Sequence, residues 1–276
     1  MEQCPISMRV VKSQLSHSLA ALALLAEAER GVRLTEIAGR LDVPKSSMQR
    51  LLQQLSDEGW VEQDAETGYY RLTFRLAVLG QRYLQSIGIA DATQAILSEL
   101  ARRTRELARL TVVDNDRLVW IGSAQGAPPG LMYQPAMGGH IVSYATANGK
   151  AWLSTLPDAT VERIVSGEGL GARVPAYQLG PNAHRTLAAL RRDLATVRAR
   201  GYALSDQEAE PGVAALAVAI LDPATGRVQG TTSIAGPIVR LSRRRHAELV
   251  RELRAAAGEL SRSWPVKRTH AVSEAG

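Results

Sequence analysis

Apolar positions recur with helical spacing through the first quarter of the chain. Leucines at 19, 22, 24 and 25 lie in SLAALALLAEA (18–28), which predicts a first helix closed by Gly31. TEIAGRL (35–41) predicts a second, capped by Thr35, with Ile37, Ala38 and Leu41 as its buried stripe. A third begins near Pro44 and runs to about Glu58, with Met48, Leu51, Leu52 and Leu55 at i, i+3, i+4 and i+7. Only Asp42-Val43-Pro44 separates the second and third, a link short enough to force the steep crossing of a helix-turn-helix. GWVEQDAETGYYRL (59–72) then reads as strand, turn with Gly68, and strand, a β-hairpin wing.

The pattern changes again beyond residue 73. TFRLAVLGQRYLQS (73–86) carries Leu76, Leu79, Tyr83 and Leu84 on one helical stripe, broadened by Phe74 and Val78 and closed by Gly88. A helix of ~14 residues is marginal alone in water, so this stripe needs a packing partner. ADATQAILSELARRTRELA (90–108) predicts a helix with Ile96, Leu97, Leu100 and Leu107 on its apolar side. Two strands joined by DNDR follow within 109–124, and GLMYQPAM (130–137) is a candidate third. A helix is expected over 144–156 and another over 184–201, ending at Gly201. Strands are expected at 202–206, 213–221 and 228–236, with a turn at Asp222-Pro223, and a last helix at about 242–262. Helices flanking a central antiparallel sheet make this half an α+β domain. The expected organisation is a winged helix-turn-helix over 12–73, a linker helix over 74–89, a second domain over 90–264 and a tail over 265–276.

Composition narrows the function. The chain has 276 residues, 45% of them hydrophobic, enough for two domains with cores of their own. A lone Cys4 excludes an internal disulfide and a cysteine-rich zinc site. The apolar runs LAALALLA (19–26) and VAALAVAIL (213–221) fall short of the ~20 residues that cross a bilayer. The N-terminal residues lack a signal-peptide pattern, so a soluble cytoplasmic protein without membrane association is expected. Five scattered histidines form no metal-binding spacing, no GxSxG elbow occurs, and GEGLGA (167–172) reads as an ordinary loop. With the helix-turn-helix, a DNA-binding role is expected, with no catalytic residues, cofactor or metal. The alternatives are an enzyme acting on a small acyl or phosphoryl substrate, and an effector-independent DNA-binding scaffold.

The net charge of +6 does not itself mark DNA binding. Residues 1–73 hold eight Lys and Arg against ten Asp and Glu, so the surplus lies elsewhere. The informative feature is local: no acid occurs from Val43 to Ser56. The third helix would turn Lys45, Ser46, Ser47, Gln49 and Arg50 toward the major groove. Arg pairs with guanine, Gln pairs with adenine, and Ser reaches bases or phosphates. Thr35, and Thr67, Tyr69 and Arg71 of the wing, complete the expected contacts with double-stranded DNA.

RLDVPKSSMQRLLQQLSDEGWVEQDAETGYYRL (40–72) resembles the DNA-binding domain of the IclR family of bacterial transcriptional regulators. YATANGKAWLS (144–154), EAEPGVAALAVAI (208–220) and TSIAGPIVRLS (232–242) extend the resemblance, in order, across the rest of the chain. The resemblance implies a GAF-like C-terminal domain that binds a small effector, a linker helix that helps pair subunits, and a homodimer or homotetramer on a palindromic operator. It also implies that Ser205, Asp206, Gln207, Val213, Ala215 and Ser233 face the effector cavity. His140 stands where many members carry Arg. On physical grounds an organic acid, an aromatic one included, would sit where MGGH (137–140) meets the helix at 144–156. There helix amides, His140 and Ser143 could hold a carboxylate, with Met132, Tyr133, Tyr144 and Trp152 as walls.

Overall fold

In the computed structural model the chain divides into two compact units, Met1–Ile87 and Gly88–Gly276. The structure describes residues 13–86, 90–135, 140–172 and 179–264.

The first unit holds α1 (Gln14–Ala26), β1 (Val32–Arg33), α2 (Leu34–Arg40), α3 (Lys45–Asp57), β2 (Val61–Gln63), β3 (Tyr69–Leu72) and α4 (Arg75–Ser86). Ser13 caps α1 by accepting the Ser16 N–H, so this helix starts four residues before the apolar run suggests. It also ends earlier, at Ala26, and Gly31 is not its cap. Gly31 has φ +81°, and a Cβ there would come within 2.6 Å of the Tyr70 carbonyl oxygen. The glycine instead lets the chain pass close to β3 before β1 pairs with it. That pairing also corrects the start of α2. Arg33 occupies its N-cap position and Thr35 lies inside the first turn, exposed and not capping.

Asp42 turns the α2–α3 link with φ +53°, and Pro44 sits one position before the first helical residue of α3. Met48, Leu51 and Leu52 are buried against Ala21, Leu25, Ile37 and Val61, with Leu55 at the edge of this core. The wing is β2 and β3 with Gly68 in the turn at φ +70°, and the short β1 makes the sheet three-stranded in the order β1-β3-β2. Helix α4 has no buried residue: Phe74 just before it is 87% exposed, Leu79 53% and Tyr83 52%.

The second unit comprises α5 (Ala90–Thr104), β4 (Leu107–Asp114), β5 (Arg117–Gln125), α6 (Ala147–Leu153), α7 (Asp158–Gly167), α8 (Leu187–Arg200), β6 (Ala203–Asp206), β7 (Val213–Leu221), β8 (Val228–Pro237) and α9 (His246–Ser263). The strands form one antiparallel sheet, β5-β4-β8-β7-β6. Helix α5 stops at Thr104 because Arg105 takes φ +57°, so residues 105–108 do not continue it and Leu107 opens β4. Asn115 and Asp116, both at positive φ, form the two-residue turn to β5 that twisted hairpins favour. Residues 130–135 form no strand, and the rest of that candidate lies outside the described residues, as does Gly88.

Helix α6 is shorter than its apolar pattern suggests, and α7 was not expected. The GEGLGA segment is the C-terminal exit of α7, with Gly169 and Gly171 at positive φ. A 3-10 turn, Arg243–Arg245, precedes α9. Arg245 there donates to the carbonyls of Arg240 and Thr104 and lies 3.5 Å from Glu248, which accounts for one of the three clustered arginines.

Two cores lie on opposite faces of the sheet. Ala108, Leu110, Leu216, Ile220 and Ile234 pack against Leu97, Leu100, Leu249, Leu253 and Leu260 of α5 and α9. On the other face α6 lies on β7, with Ala147 and Ala151 against Ala203 and Ala217. These small residues bring the helix close to the strands. Gly149 touches backbone: a Cβ there would sit 2.2 Å from the Ser143 carbonyl oxygen.

Candidate nucleic-acid interface and effector site

Helix α3 presents a charged row away from its core side. Lys45, Ser46, Gln49 and Arg50 are exposed and Ser47 is half-buried. No side chain caps α3 and its first turn holds no acid, so its first amides and its positive dipole end remain open to phosphate. Gln53 is tied to Asp57 at 2.8 Å.

The wing is less open. Arg71 pairs with Glu62 at 2.9 Å and Asp64 at 3.0 Å, so a phosphate must compete with two carboxylates for it. Thr67 donates its hydroxyl and amide to Asp64, and these hydrogen bonds hold that carboxyl below its usual range. Tyr69 lies under the Arg33 guanidinium, 5.1 Å from its ring centre.

In the second unit the expected effector residues separate into groups. Ser233, Ala215 and Val213 occupy one face of the sheet, and Arg109, which is outside the expected set, shares that face; Arg109 lies opposite Ser233 and Ala215 opposite Ala235 in the strand register. Ser205 donates to the Ala145 carbonyl at 2.8 Å, and Gln207 accepts from the Gly212 amide. Asp206 has one buried carboxylate oxygen with no partner among the described residues. Tyr133 is half-buried and donates to Glu210 at 2.7 Å.

The remaining candidates lie differently. Tyr144 and Trp152 are 2% and 1% exposed, inside a core with Leu153, Val161, Leu190 and Leu194. They are packing residues here, because α7 and α8 cover them. Met132 is 42% exposed, and His140 is exposed, its pKa lowered by partial burial and by Arg117. Gly138 and Gly139 lie outside the described residues.

The anion position expected beside α6 is already filled. Glu168 accepts the Ser143 amide at 2.8 Å and the Ser143 hydroxyl at 2.7 Å, and it also accepts the Tyr144 amide. Burial nevertheless raises its pKa to about 7 against the pull of these donors. The Thr146 hydroxyl takes the Gly149 amide. Ser143 therefore serves the chain's own carboxylate.

Sequence reasoning missed two clusters. Lys150 of α6 is fully buried and donates 2.7 Å to Asp193 and 2.6 and 2.7 Å to Glu208. His184 lies 3.1 Å from Asp193 and 3.6 Å from Glu208. Burial acts to raise the Asp193 pKa, but the His184 hydrogen bond and the Lys150 charge outweigh it and hold it at about 2. Burial raises that of Glu208 despite Lys150. His184, Asp193 and Glu208 have metal-like spacing, but the Lys150 ammonium already donates to both carboxylates. The available signal was Lys150 itself, the sole lysine between Lys45 and Lys267. The second cluster is Arg109 with Trp120, Tyr133 and Glu210. Its signal was a lone charge in the apolar alternation of LARLTVV (107–113).

Comparison with known proteins decides what carries these features. A family model for the bacterial transcriptional regulator IclR C-terminal domain matches residues 81–262, and the IclR helix-turn-helix model matches 14–65. The chain belongs to the IclR family. It is 30% identical over 251 residues to the transcriptional repressor IclR of Escherichia coli, covering 91% of this chain and 89% of that one. It is 31% identical over 236 residues to the E. coli regulator KdgR, covering 84% and 86%. The crystal structure of an IclR transcriptional regulator from Alicyclobacillus acidocaldarius matches with a TM-score of 0.78 and 27% identity, over 91% of this chain and 98% of that one. An IclR homologue from Microbacterium hydrocarbonoxydans, crystallised with 4-hydroxybenzoate, shares the fold at TM-score 0.74 and 22% identity, over 91% and 99%.

This IclR-family protein is thus a DNA-binding transcriptional regulator and not an enzyme. Its α+β architecture is that of the family. No helix among the described residues is long and apolar enough to cross a membrane.

Proposed function

We propose that the protein binds a palindromic operator in the cytoplasm as a homodimer or homotetramer, and that a small organic acid bound in the second unit changes its operator affinity. The observation that carries the DNA reading is the uncapped, acid-free start of α3 with Lys45, Ser46, Ser47, Gln49 and Arg50 along one side. Arg50 and Gln49 are assigned to base edges, and Lys45, Ser46 and Ser47 to phosphates and the groove wall. Thr35, Thr67, Tyr69 and Arg71 supply backbone contacts from α2 and the wing. The exposed stripe of α4 supports the subunit contact, since an apolar face left in water needs a cover. The effector reading rests on the sheet face around Ser233, Ala215 and Val213.

The test uses the full chain and an operator selected from random duplexes. Arg50→Ala should cost about 1–3 kcal/mol on that operator and relax the preference at one base. Lys45→Ala should weaken all sequences alike and flatten the salt dependence. Unchanged operator affinity in Arg50→Ala would remove its base-reading role.

A further inference from the structure

Arg109 is a buried cation whose Nε has no acceptor among the described residues. Its side chain projects from the face of β4 that also carries Thr111, and it is 7% exposed. No carboxylate lies within ion-pair distance of it among the described residues, and its Nε is buried without a hydrogen bond. Its guanidinium stacks on Trp120, with the guanidinium carbon 3.3 Å from the ring centre. Stacking engages a face of the guanidinium and leaves its in-plane Nε–H unmatched among the described residues. Burial lowers its pKa to about 10, with Tyr133 and Glu210 offsetting part of the effect, so the group stays charged at neutral pH.

A buried donor without an acceptor is costly, and a buried charge more so. The surroundings relieve it only in part. Glu210, the nearby acid, accepts from the Tyr133 hydroxyl. The segment carrying Tyr133 is held above this end of the sheet by three ties. Gln125 donates to the Tyr133 carbonyl, Arg240 to the Leu131 carbonyl, and Tyr133 to Glu210. Next to Arg109 the neighbouring strands present Ser233, Ala235 and Ala215, which are small. The other anion position of this unit, at Ser143, is taken by Glu168.

We infer that Arg109 is the anion anchor of the effector site: its guanidinium edge receives the carboxylate of a small organic acid beside Ser233, under the Tyr133–Glu210 clasp. This rests on the acid-sensing reading above and names the residue that selects for charge. A carboxylate matches two parallel guanidinium N–H groups, whereas the corresponding amide offers one acceptor and no charge.

The test is calorimetric titration of the full-length protein with acetate, pyruvate, benzoate and 4-hydroxybenzoate, each paired with its amide. The variants are Arg109→Met and Glu168→Gln. Operator binding without ligand serves as the folding control. The expected result is that at least one acid binds the parent and its amide does not. Arg109→Met should then lose that acid at least tenfold while keeping operator binding, and Glu168→Gln should bind it within about threefold of the parent. Equal acid affinity in Arg109→Met overturns the anchor and leaves the acid-sensing reading standing. Acid binding that strengthens tenfold in Glu168→Gln relocates the carboxylate to Ser143 and also overturns it. If no acid binds the parent, both readings fall. If Arg109→Met loses operator binding, Arg109→Lys decides. It retains the charge without the planar fork, and acid affinity equal to the parent's would overturn the anchor.

Discussion

Replacing Lys150 by Met isolates the energetic role of the buried charge cluster. The Lys150 ammonium is fully buried and satisfies Glu208, itself 6% exposed, through two short hydrogen bonds, and Asp193 through a third. Methionine preserves most of the side-chain volume, so the dominant change is a buried carboxylate left without its counter-charge. Removing one partner of a buried pair costs about 3–5 kcal/mol. His184 keeps its contact with Asp193 at 3.1 Å and stands 3.6 Å from Glu208, which places the expected loss near the lower limit, at ~3 kcal/mol. Glu208 should then be more easily protonated, so the variant should lose stability as pH rises from about 5 to 8. Lys150→Met with Glu208→Gln should recover most of the loss, because the uncompensated charge is gone. Urea unfolding at pH 7 by tryptophan fluorescence reads the transition, since Trp120, Trp152 and Trp264 lie in the second unit and only Trp60 in the first. A single variant within 1 kcal/mol of the parent would refute the reasoning, as would a double variant no more stable than the single.

Glu168 gives a pH prediction of defined sign. Its folded pKa, about 7, lies above the ordinary 4.5, so the folded chain binds more protons between those values and stability falls as pH rises through that window. The upper bound is about 3 kcal/mol, and Glu168→Gln should flatten the profile between pH 5 and 8; parallel profiles would contradict the assignment. Leu79→Asp, on the exposed stripe of α4, should weaken self-association in sedimentation at micromolar concentration without unfolding the chain, and an unaltered assembly would place the subunit contact elsewhere.

The first unit was largely legible because its information is local. The i, i+3, i+4, i+7 pattern of Met48, Leu51, Leu52 and Leu55 describes the inner side of α3 directly, and the short link and Gly68 turn describe its neighbours. Local patterning makes Thr35 and Gly31 helix caps, but their roles depend on β1, two residues whose pairing with β3 no local pattern announces. The same limit applies to Leu107. Its apolar spacing suits a helix, but Arg105 turns the chain and the sheet claims the next residues.

The sequence alone determined the two-part organisation, the helix-turn-helix, the strand alternation and the family. These rest on periodicity and on turn residues, which act between near neighbours. Only the tertiary structure decided which polar residues are spent internally. Ser143 is committed to Glu168, and Lys150 to Asp193 and Glu208. Tyr144 and Trp152 look like ligand walls in one dimension and are core in three. Arg109 looks like an ordinary strand residue and is buried, with its Nε lacking an acceptor among the described residues. The physical reason is that burial and charge pairing are set by residues tens of positions away, and local spacing carries no record of them.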